Sequence, residues 1–202
     1  METNTVILND LKFIINSNIT WSKLENKTIL ISGANGFLAS YIVKAILYKN
    51  TIDNLNCKVI ALVRNIENAV IRFQDFLQRI DLVIINHDII NPILISDTVD
   101  FVIHAASQAS PKYYGIDPIG TIQANTLGTY NLLQFAKNKN VESFLFCLFV
   151  FLHFLGTLLK GPYFVRQSLE PPLFCRLCPT TVLFLRLRFF FRPGKHPFSG
   201  LF

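Results

Sequence analysis

The sequence is short of cysteine and of charged residues. Its 202 residues include four cysteines, too few for a disulfide scaffold, and charged residues make up only 16% of the chain. Because 51% of the residues are hydrophobic, a chain that stays disordered throughout is excluded. Met1 to Ile19 lack the basic start and the unbroken apolar stretch of a signal peptide, so we expect a cytoplasmic protein.

The last part of the sequence lacks several amino acids that are common before it. Residues 1–140 contain 23 isoleucines and 17 asparagines, whereas residues 141–202 contain no Ile, Asn, Ala or Asp and hold 13 of the 19 phenylalanines. The net charge is +1 before this break (12 basic and 11 acidic residues) and +5 after it (7 basic and 2 acidic). The basic charge therefore belongs to the tail, and we do not expect a nucleic-acid partner.

This break divides the chain into predicted regions. Two parts of one compact domain would need similar core residues, so folding alone does not explain such a change in composition. We predict a helical extension over residues 1–26, a main domain over 27–146 and an anomalous tail rich in Phe, Leu and Arg over 147–202.

Patterns of buried strands alternate with patterns of helices in the main domain. Short apolar, β-branched runs predict strands at 27–32, 58–63, 82–86 and 101–105, and a fifth from Ser143. Helical periodicity predicts helices over 6–16, 36–48, 67–79 and 121–137. Because right-handed crossovers join such strands, the predicted fold class is α/β, a doubly wound parallel sheet with strand order 3-2-1-4-5.

A glycine-containing turn follows the first predicted strand and opens the next helix. Its small residues would let the backbone approach a pyrophosphate, and the helix N-terminus would offer free N–H groups and a positive dipole end. The turn therefore predicts a dinucleotide site formed by Gly33, Asn35, Gly36, Phe37 and Leu38. The alternative is a glycine turn that serves only to reverse the chain.

The turn and several later segments resemble a known family. SGANGFLAS is similar to the TGxxGxxG turn of the extended short-chain dehydrogenases/reductases, the NAD(P)-dependent nucleotide-sugar epimerases and dehydratases. Further family motifs match in order along the chain: Asp88-Ile89, the segment 104–107 (HAAS), Asp117-Pro118 and the segment 125–133 (NTLGTYNLL). The resemblance covers residues 27–146 and is greatest to UDP-glucuronate decarboxylases and dTDP-glucose 4,6-dehydratases. It implies a Rossmann-like fold, NAD or NADP as cofactor and a nucleotide-sugar substrate. The oligomeric state stays open, with a homo-oligomer as one alternative.

The resemblance also implies roles for these residues. Asp88, with Ile89, would meet the adenine amino group, and His104, Ala105, Ala106 and Ser107 would lie beside the nicotinamide ribose. From the residues alone, we expect backbone partners for the His104 ring.

Asn125 would, by the same resemblance, bond backbone near the site and help order a water relay. Its predicted helix face, shared with Ile122, Thr129 and Leu132, is mostly inward, so its amide needs partners. A purely structural anchor is the alternative role.

The end of the second predicted strand leaves the cofactor undecided. NAD binders usually carry an acid there for the ribose 2′-OH, but this chain has Arg64 and no acid. A guanidinium would suit a 2′-phosphate, although it could equally be a solvated cation. The cofactor is therefore NAD or NADP.

The catalytic part of the family pattern is missing. No Tyr-x-x-x-Lys occurs in the sequence, and 147–149 (CLF) stands where the resemblance implies hydroxyl residues. We therefore assign no catalytic residue and predict an inactive protein, truncated or frameshifted after the fifth strand, that retains a dinucleotide half-site. A sheet that ends near Phe146 is expected to expose an edge.

The tail leaves other functions open. Its apolar run at 144–159 is slightly shorter than the ~17–25 residues of a membrane span, so a membrane partner is not favoured. Cys175 and Cys178, with His153 and His196 as the candidate partners, are weak evidence for a metal, and we assign none. The alternatives are an active enzyme with substituted catalytic groups or with groups from a partner chain, and a non-enzymatic membrane-associated or interaction protein.

Overall fold

The computed structural model describes residues 5–107, 116–149 and 182–187. The strands are β1 Thr28–Ser32, β2 Lys58–Val63, β3 Leu82–Asn86, β4 Phe101–His104, β5 Ser143–Phe149 and β6 Val182–Leu187. The α-helices are α1 Thr5–Ile15, α2 Phe37–Asp53, α3 Ile66–Arg72 and α4 Pro118–Lys139, with 3-10 turns at Trp21–Leu24 and Gln74–Phe76. Within these ranges, no helix combines the length and the hydropathy that crossing a membrane requires.

The first five strands form the predicted parallel sheet. The strand order is β3-β2-β1-β4-β5-β6, which confirms the predicted order 3-2-1-4-5. Ile31 of β1 pairs with Ala61 on one side and with Ile103 on the other. Since β1 lies between β2 and β4, its carboxyl end opens at the position where the strand order reverses, the usual ligand crevice of such sheets.

A sixth strand changes the expected edge of the sheet. The backbone of β6 pairs antiparallel with β5, with Phe146 opposite Leu185. The expectation of an exposed edge after Phe146 is therefore wrong, and β5 continues to Phe149. The β6 sequence VLFLRL contains Val and Phe, which favour strands, and its backbone pairs with the groups that β5 would otherwise leave unpaired.

The core lies on both faces of the sheet, as a doubly wound fold requires. On one face, α2 packs Val43 and Leu47 against β1 and β2, together with Phe73 from the end of α3. On the other face, α4 packs Leu132 and Phe135 against β1, β2, β4 and β5. Burying each of these side chains contributes about 1.5–3 kcal/mol.

Helices α2 and α3 end at other residues than predicted. Helix α2 extends beyond 48 to Asp53 and ends at Asn54, whose φ of 52° is the left-handed conformation that terminates a helix. The helix predicted over 67–79 ends at Arg72, because Phe73 leaves helical geometry and is fully buried.

The inward face predicted for α4 is partly wrong. Ile122 is 62% exposed, whereas Ala124, Gly128 and Leu132 form the buried face. The helix also begins three residues earlier than predicted, since the Asp117 side chain accepts a hydrogen bond from Gly120 N at 2.9 Å.

Candidate functional site

The turn between β1 and α2 requires glycine at its first position. Gly33 has a φ of 69°, and a Cβ atom there would lie 2.6 Å from Ala106 Cα. The Gly33 N–H donates to Leu62 O at 3.0 Å, and the Gly36 N–H donates to Gly33 O at 2.8 Å. The turn is thus held against the end of β2 and the segment after β4, with no room for a side chain at Gly33.

The start of α2 is open to an anion. Gly36 is the N-cap residue, and no side chain caps the first turn of the helix. Phe37 is 76% exposed and its ring lies 5.3 Å from that of Tyr41, while Leu38 is half-buried. Because the first N–H groups of a helix have no acceptor within the helix, this end can donate to a phosphate.

Asn35 connects the turn to the end of β2. Its Nδ2 donates to Asn65 O at 2.8 Å, but its Oδ1 is buried and has no hydrogen-bond partner among the described residues. Asn65 in turn caps α3 by accepting from Asn68 N at 2.7 Å. Arg64 is exposed beside them. The unpaired acceptor of Asn35 fits a ligand that brings a hydroxyl or amine donor.

Asp88 and Ile89 follow β3 at the same edge of the sheet. Asp88 is half-buried, and its Oδ1 accepts from Ile90 N at 3.2 Å. The Ile89 side chain is buried against α4, where a Cβ at Gly128 would lie 2.5 Å from Ile89 Cδ1. The Asp88 carboxylate is therefore available at the crevice, whereas the Ile89 side chain belongs to the core.

His104 is fully buried between two hydroxyl groups. Its Nδ1 lies 2.9 Å from Ser32 Oγ, and its Nε2 lies 2.9 Å from Thr129 Oγ1. The expectation of backbone partners for this ring is wrong, because the fold places one hydroxyl of β1 and one of α4 on either side of it. Burial lowers the pKa of His104 from its usual 6.5 to about 4, so the ring is neutral at neutral pH.

The residues after β4 continue the same contacts. Ala105 N donates to Ser32 O at 3.1 Å, and Ala106 N donates to Ser32 Oγ at 3.4 Å. Ser107 is exposed. This segment therefore lies directly against the glycine turn, with one hydroxyl side chain open to solvent.

Asn125 makes its hydrogen bonds within α4. Its side-chain amide donates to Thr121 O at 2.9 Å, and its backbone carbonyl oxygen accepts from Thr129 Oγ1 at 2.6 Å. Both bonds lie within the helix, and the side chain is half-buried.

The position at which the family pattern requires hydroxyl residues holds a buried thiol. Cys147 in β5 is 3% exposed, and burial raises the pKa of its thiol to about 11. The thiol therefore stays protonated at neutral pH and cannot act as a base. Five tail residues with chemically active side chains lie outside the described residues: His153, Tyr163, Cys175, Cys178 and His196.

Two contacts of α4 were not anticipated from the sequence. Thr129 contacts His104, and Asn131 Nδ2 donates to the carbonyl oxygens of Ile89 and Ile90 at 3.0 and 2.9 Å. Both side chains belong to the segment 125–133 that carries the family resemblance. That pattern was the available signal, but only the fold shows which strand ends these side chains reach.

The carboxyl ends of β1, β3 and β4 thus bring most of the predicted site together. The glycine turn lies in the middle, with Asp88 on the β3 side and the segment 104–107 on the β4 side. An extended dinucleotide fits this arrangement, with its pyrophosphate at the turn and one nucleoside on each side.

Comparison with known proteins bears on the family of this domain. A sequence model described as the NAD dependent epimerase/dehydratase family matches residues 29–148. UDP-glucuronic acid decarboxylase 1 of Danio rerio is 33% identical over 120 residues, which is 57% of this chain and 26% of the relative. UDP-glucuronic acid decarboxylase 5 of Arabidopsis thaliana is 33% identical over 113 residues, which is 56% of this chain and 31% of the relative. The chain thus spans about a quarter to a third of the length of these relatives.

Among solved structures, Pen from Bacillus thuringiensis has a similar fold. The TM-score is 0.50 at 19% identity, over 59% of this chain and 37% of the Pen chain. At this identity the likeness bears on the fold alone.

Proposed function

Because this chain belongs to the NAD dependent epimerase/dehydratase family, we propose that residues 27–146 form a cofactor domain that binds NAD(H) or NADP(H). We further propose that the chain by itself does not turn over a nucleotide sugar. The tail over 147–202 would then stand in place of the catalytic and substrate-binding part.

The observation that carries this proposal is the turn between β1 and α2. Gly33 adopts a φ of 69° in contact with Ala106, and α2 begins without a side-chain cap. A pyrophosphate could approach both the turn and the free N–H groups, while Asp88 and the segment 104–107 would meet the two nucleosides. When bound, the cofactor supplies the nicotinamide ring that accepts or returns a hydride. This chain's own residues would bind it, orient it and exclude water from the buried side of the turn.

Cofactor preference would depend on Arg64. Arg64 and Asn65, and no carboxylate, stand directly after β2 where an acid would accept from the ribose 2′-OH, and an exposed guanidinium can pair with a 2′-phosphate. The family description names NAD. A comparison of NAD⁺ and NADP⁺ affinities before and after Arg64→Gln tests this point, because loss of the guanidinium should weaken NADP⁺ and leave NAD⁺ nearly unchanged.

The lack of turnover would follow from the missing acid/base group. By the family resemblance, a Tyr whose pKa is lowered by a Lys removes the sugar hydroxyl proton, but no Tyr-x-x-x-Lys occurs in the 202 residues. Such an acid/base group accelerates the reaction ~10²–10⁴-fold. Cys147 cannot replace it because burial keeps its thiol protonated.

The proposed nucleotide-sugar class is tested by incubation with NAD⁺ and either UDP-glucuronate or dTDP-glucose. Mass spectrometry should detect no altered sugar and no NADH above the control without protein. Turnover that disappears in Tyr163→Phe would show that the tail supplies the acid/base, and the proposal of an inactive chain would then be wrong.

Cofactor binding is tested by calorimetry on Gly36→Val. The backbone of Gly36 (φ −62°) accepts a side chain, and an added Cβ would meet Gly33 O at 3.1 Å, so we expect the variant to fold. Its side chain would occupy the approach of the pyrophosphate, and measurable NAD⁺ binding should disappear. Gly36→Ala provides a graded control with a smaller loss. Unchanged binding by Gly36→Val would mean that the glycine turn is not the site.

The origin of the tail can be tested on the gene. We propose that the change in composition after residue 140 results from a lesion in the reading frame near Phe146, because Ile, Asn, Ala and Asp are all absent from residues 141–202. Resequencing around codons 144–150 should then reveal a second frame that continues into hydroxyl residues and a Tyr-x-x-x-Lys. If no other frame downstream of these codons encodes such a continuation, this origin is wrong.

A further inference from the structure

Helix α4 makes hydrogen bonds to the segments on both sides of the glycine turn. Thr129 contacts the His104 ring at the end of β4, and Asn131 binds the backbone of Ile89 and Ile90 after β3. We propose that Thr129 and Asn131 are positioning residues for opposite halves of the cofactor site, Thr129 for the nicotinamide half and Asn131 for the adenine half. This inference rests on the proposed function.

The hydrogen bonds around Thr129 have a defined direction. Its hydroxyl has a single proton, which it donates to Asn125 O at 2.6 Å. At 2.9 Å from His104 Nε2 the same oxygen must therefore accept, which places the imidazole proton on Nε2. Nδ1 is then an acceptor and receives a hydrogen bond from the Ser32 hydroxyl at 2.9 Å. Ser32 Oγ in turn accepts from Ala106 N at 3.4 Å. Removal of Thr129 Oγ1 would leave a buried N–H unpaired beside the segment 104–107.

Asn131 holds the other side in a different way. Its two amide protons reach Ile89 O at 3.0 Å and Ile90 O at 2.9 Å. Gly128 lets the helix come close, since a Cβ there would lie 2.5 Å from Ile89 Cδ1. Asp88 Oδ1 accepts from Ile90 N, so the turn that presents the carboxylate is fixed through the same residue. An Asn131 without amide donors would release this turn.

The strand order separates the two effects. β4 is adjacent to β1, whereas β3 lies beyond β2 on the other side. With strands ~4.8 Å apart, the ends of β3 and β4 are about 14 Å apart, a distance that a dinucleotide can bridge. A ligand with the adenine half alone would therefore depend on Asn131 and not on Thr129.

The test compares NAD⁺ with ADP, which contains the adenosine and the pyrophosphate but no nicotinamide riboside. Calorimetry is carried out on Thr129→Val and Asn131→Asp in the full chain. We expect Thr129→Val to lower the affinity for NAD⁺ about tenfold, the effect of about one lost hydrogen bond. The affinity for ADP should stay within about twofold of the unsubstituted chain. We expect Asn131→Asp to weaken both ligands about tenfold, because the replaced donors face two carbonyl oxygens.

Matched controls come from the same helix. Thr126 makes the same kind of bond to its own helix, to Ile122 O at 2.7 Å, but it is exposed, so Thr126→Val should leave both affinities unchanged. Asn138 is exposed on α4, and Asn138→Asp adds the same charge as Asn131→Asp without touching the site. Thr129→Ser keeps the hydroxyl and should restore NAD⁺ binding. If Asn131→Asp does not fold, Asn131→Ser takes its place.

A spectroscopic measurement tests the contact at Thr129 without cofactor. The imidazole ¹⁵N shifts of His104 should indicate the neutral form with the proton on Nε2, and they should change in Thr129→Val but not in Thr126→Val. Equal loss of ADP and NAD⁺ in both variants, in step with lost stability, would overturn the assignment to separate halves. If the unsubstituted chain binds neither ligand, the proposed function fails together with this inference.

Discussion

The two glycines of the turn after β1 should respond differently to the same substitution. Gly33→Ala places a side chain at a φ of 69°, and its Cβ would lie 2.6–2.9 Å from backbone atoms of Ala105 and Ala106. The left-handed conformation costs ~1–2 kcal/mol, and overpacking against a backbone that cannot rotate away costs ~1–3 kcal/mol more. We therefore expect a loss of about 2–5 kcal/mol in the free energy of unfolding.

Gly36→Ala should leave stability nearly unchanged. The φ of Gly36 is −62°, which any residue adopts, and the nearest atom to an added Cβ is Gly33 O at 3.1 Å. We expect its free energy of unfolding to change by less than about 1 kcal/mol, because the close contact opposes the gain from a less flexible unfolded chain.

Urea unfolding measures both free energies. The midpoint for Gly33→Ala should fall by about 1 M or more, since each molar of urea removes ~1–3 kcal/mol from a small domain. If both variants unfold at the wild-type midpoint, or if Gly36→Ala is the less stable of the two, the left-handed conformation of Gly33 and its close packing against Ala106 are wrong.

Three further outcomes follow from buried or capping groups. The pKa of His104 is lowered from 6.5 to about 4, so between these pH values the unfolded chain binds a proton that the folded chain does not. Urea unfolding should therefore show the free energy of unfolding falling by up to about 3 kcal/mol from pH 6.5 to pH 4. The same pH dependence in His104→Gln would contradict this. Burial raises the pKa of the thiols of Cys57 and Cys147 to about 12 and about 11, so iodoacetamide at neutral pH should leave both unmodified in the native protein by mass spectrometry; rapid labelling of either would refute their burial. Asp117→Ala removes the N-cap of α4 and should cost about 1 kcal/mol in urea unfolding, with Asp117→Asn as the control that retains most of the stability.

The parallel sheet could be predicted because its signals are local. Runs such as KVIALV at 58–63 are β-branched and apolar, and the helices between them leave the right-handed crossover as the usual connection. The glycine turn could be placed for the same reason, since a strand precedes Gly33 and a helix follows Gly36.

What could not be predicted depends on residues far apart in the chain. Ser32 and Thr129 lie 72 and 25 positions from His104, and nothing in the local sequence indicates that their hydroxyls enclose its ring. The β6 pairing was missed because the composition of the tail argued against a folded segment, whereas the backbone groups of an open edge can pair with any suitable strand. Ile122 is exposed because the buried face of α4 passes through Ala124 and Gly128. The sequence of this helix has apolar residues on several faces, so its pattern does not show which face is buried.

If this chain retains a dinucleotide site at the turn between β1 and α2, it binds NADH there, and NADH fluorescence measures that binding. NADH is titrated with the unsubstituted chain and with Gly36→Val, after urea unfolding has shown that both are folded. We expect a saturable change in the emission of NADH with the unsubstituted chain and none with Gly36→Val. No saturable change with either protein, or the same change with both, would contradict it.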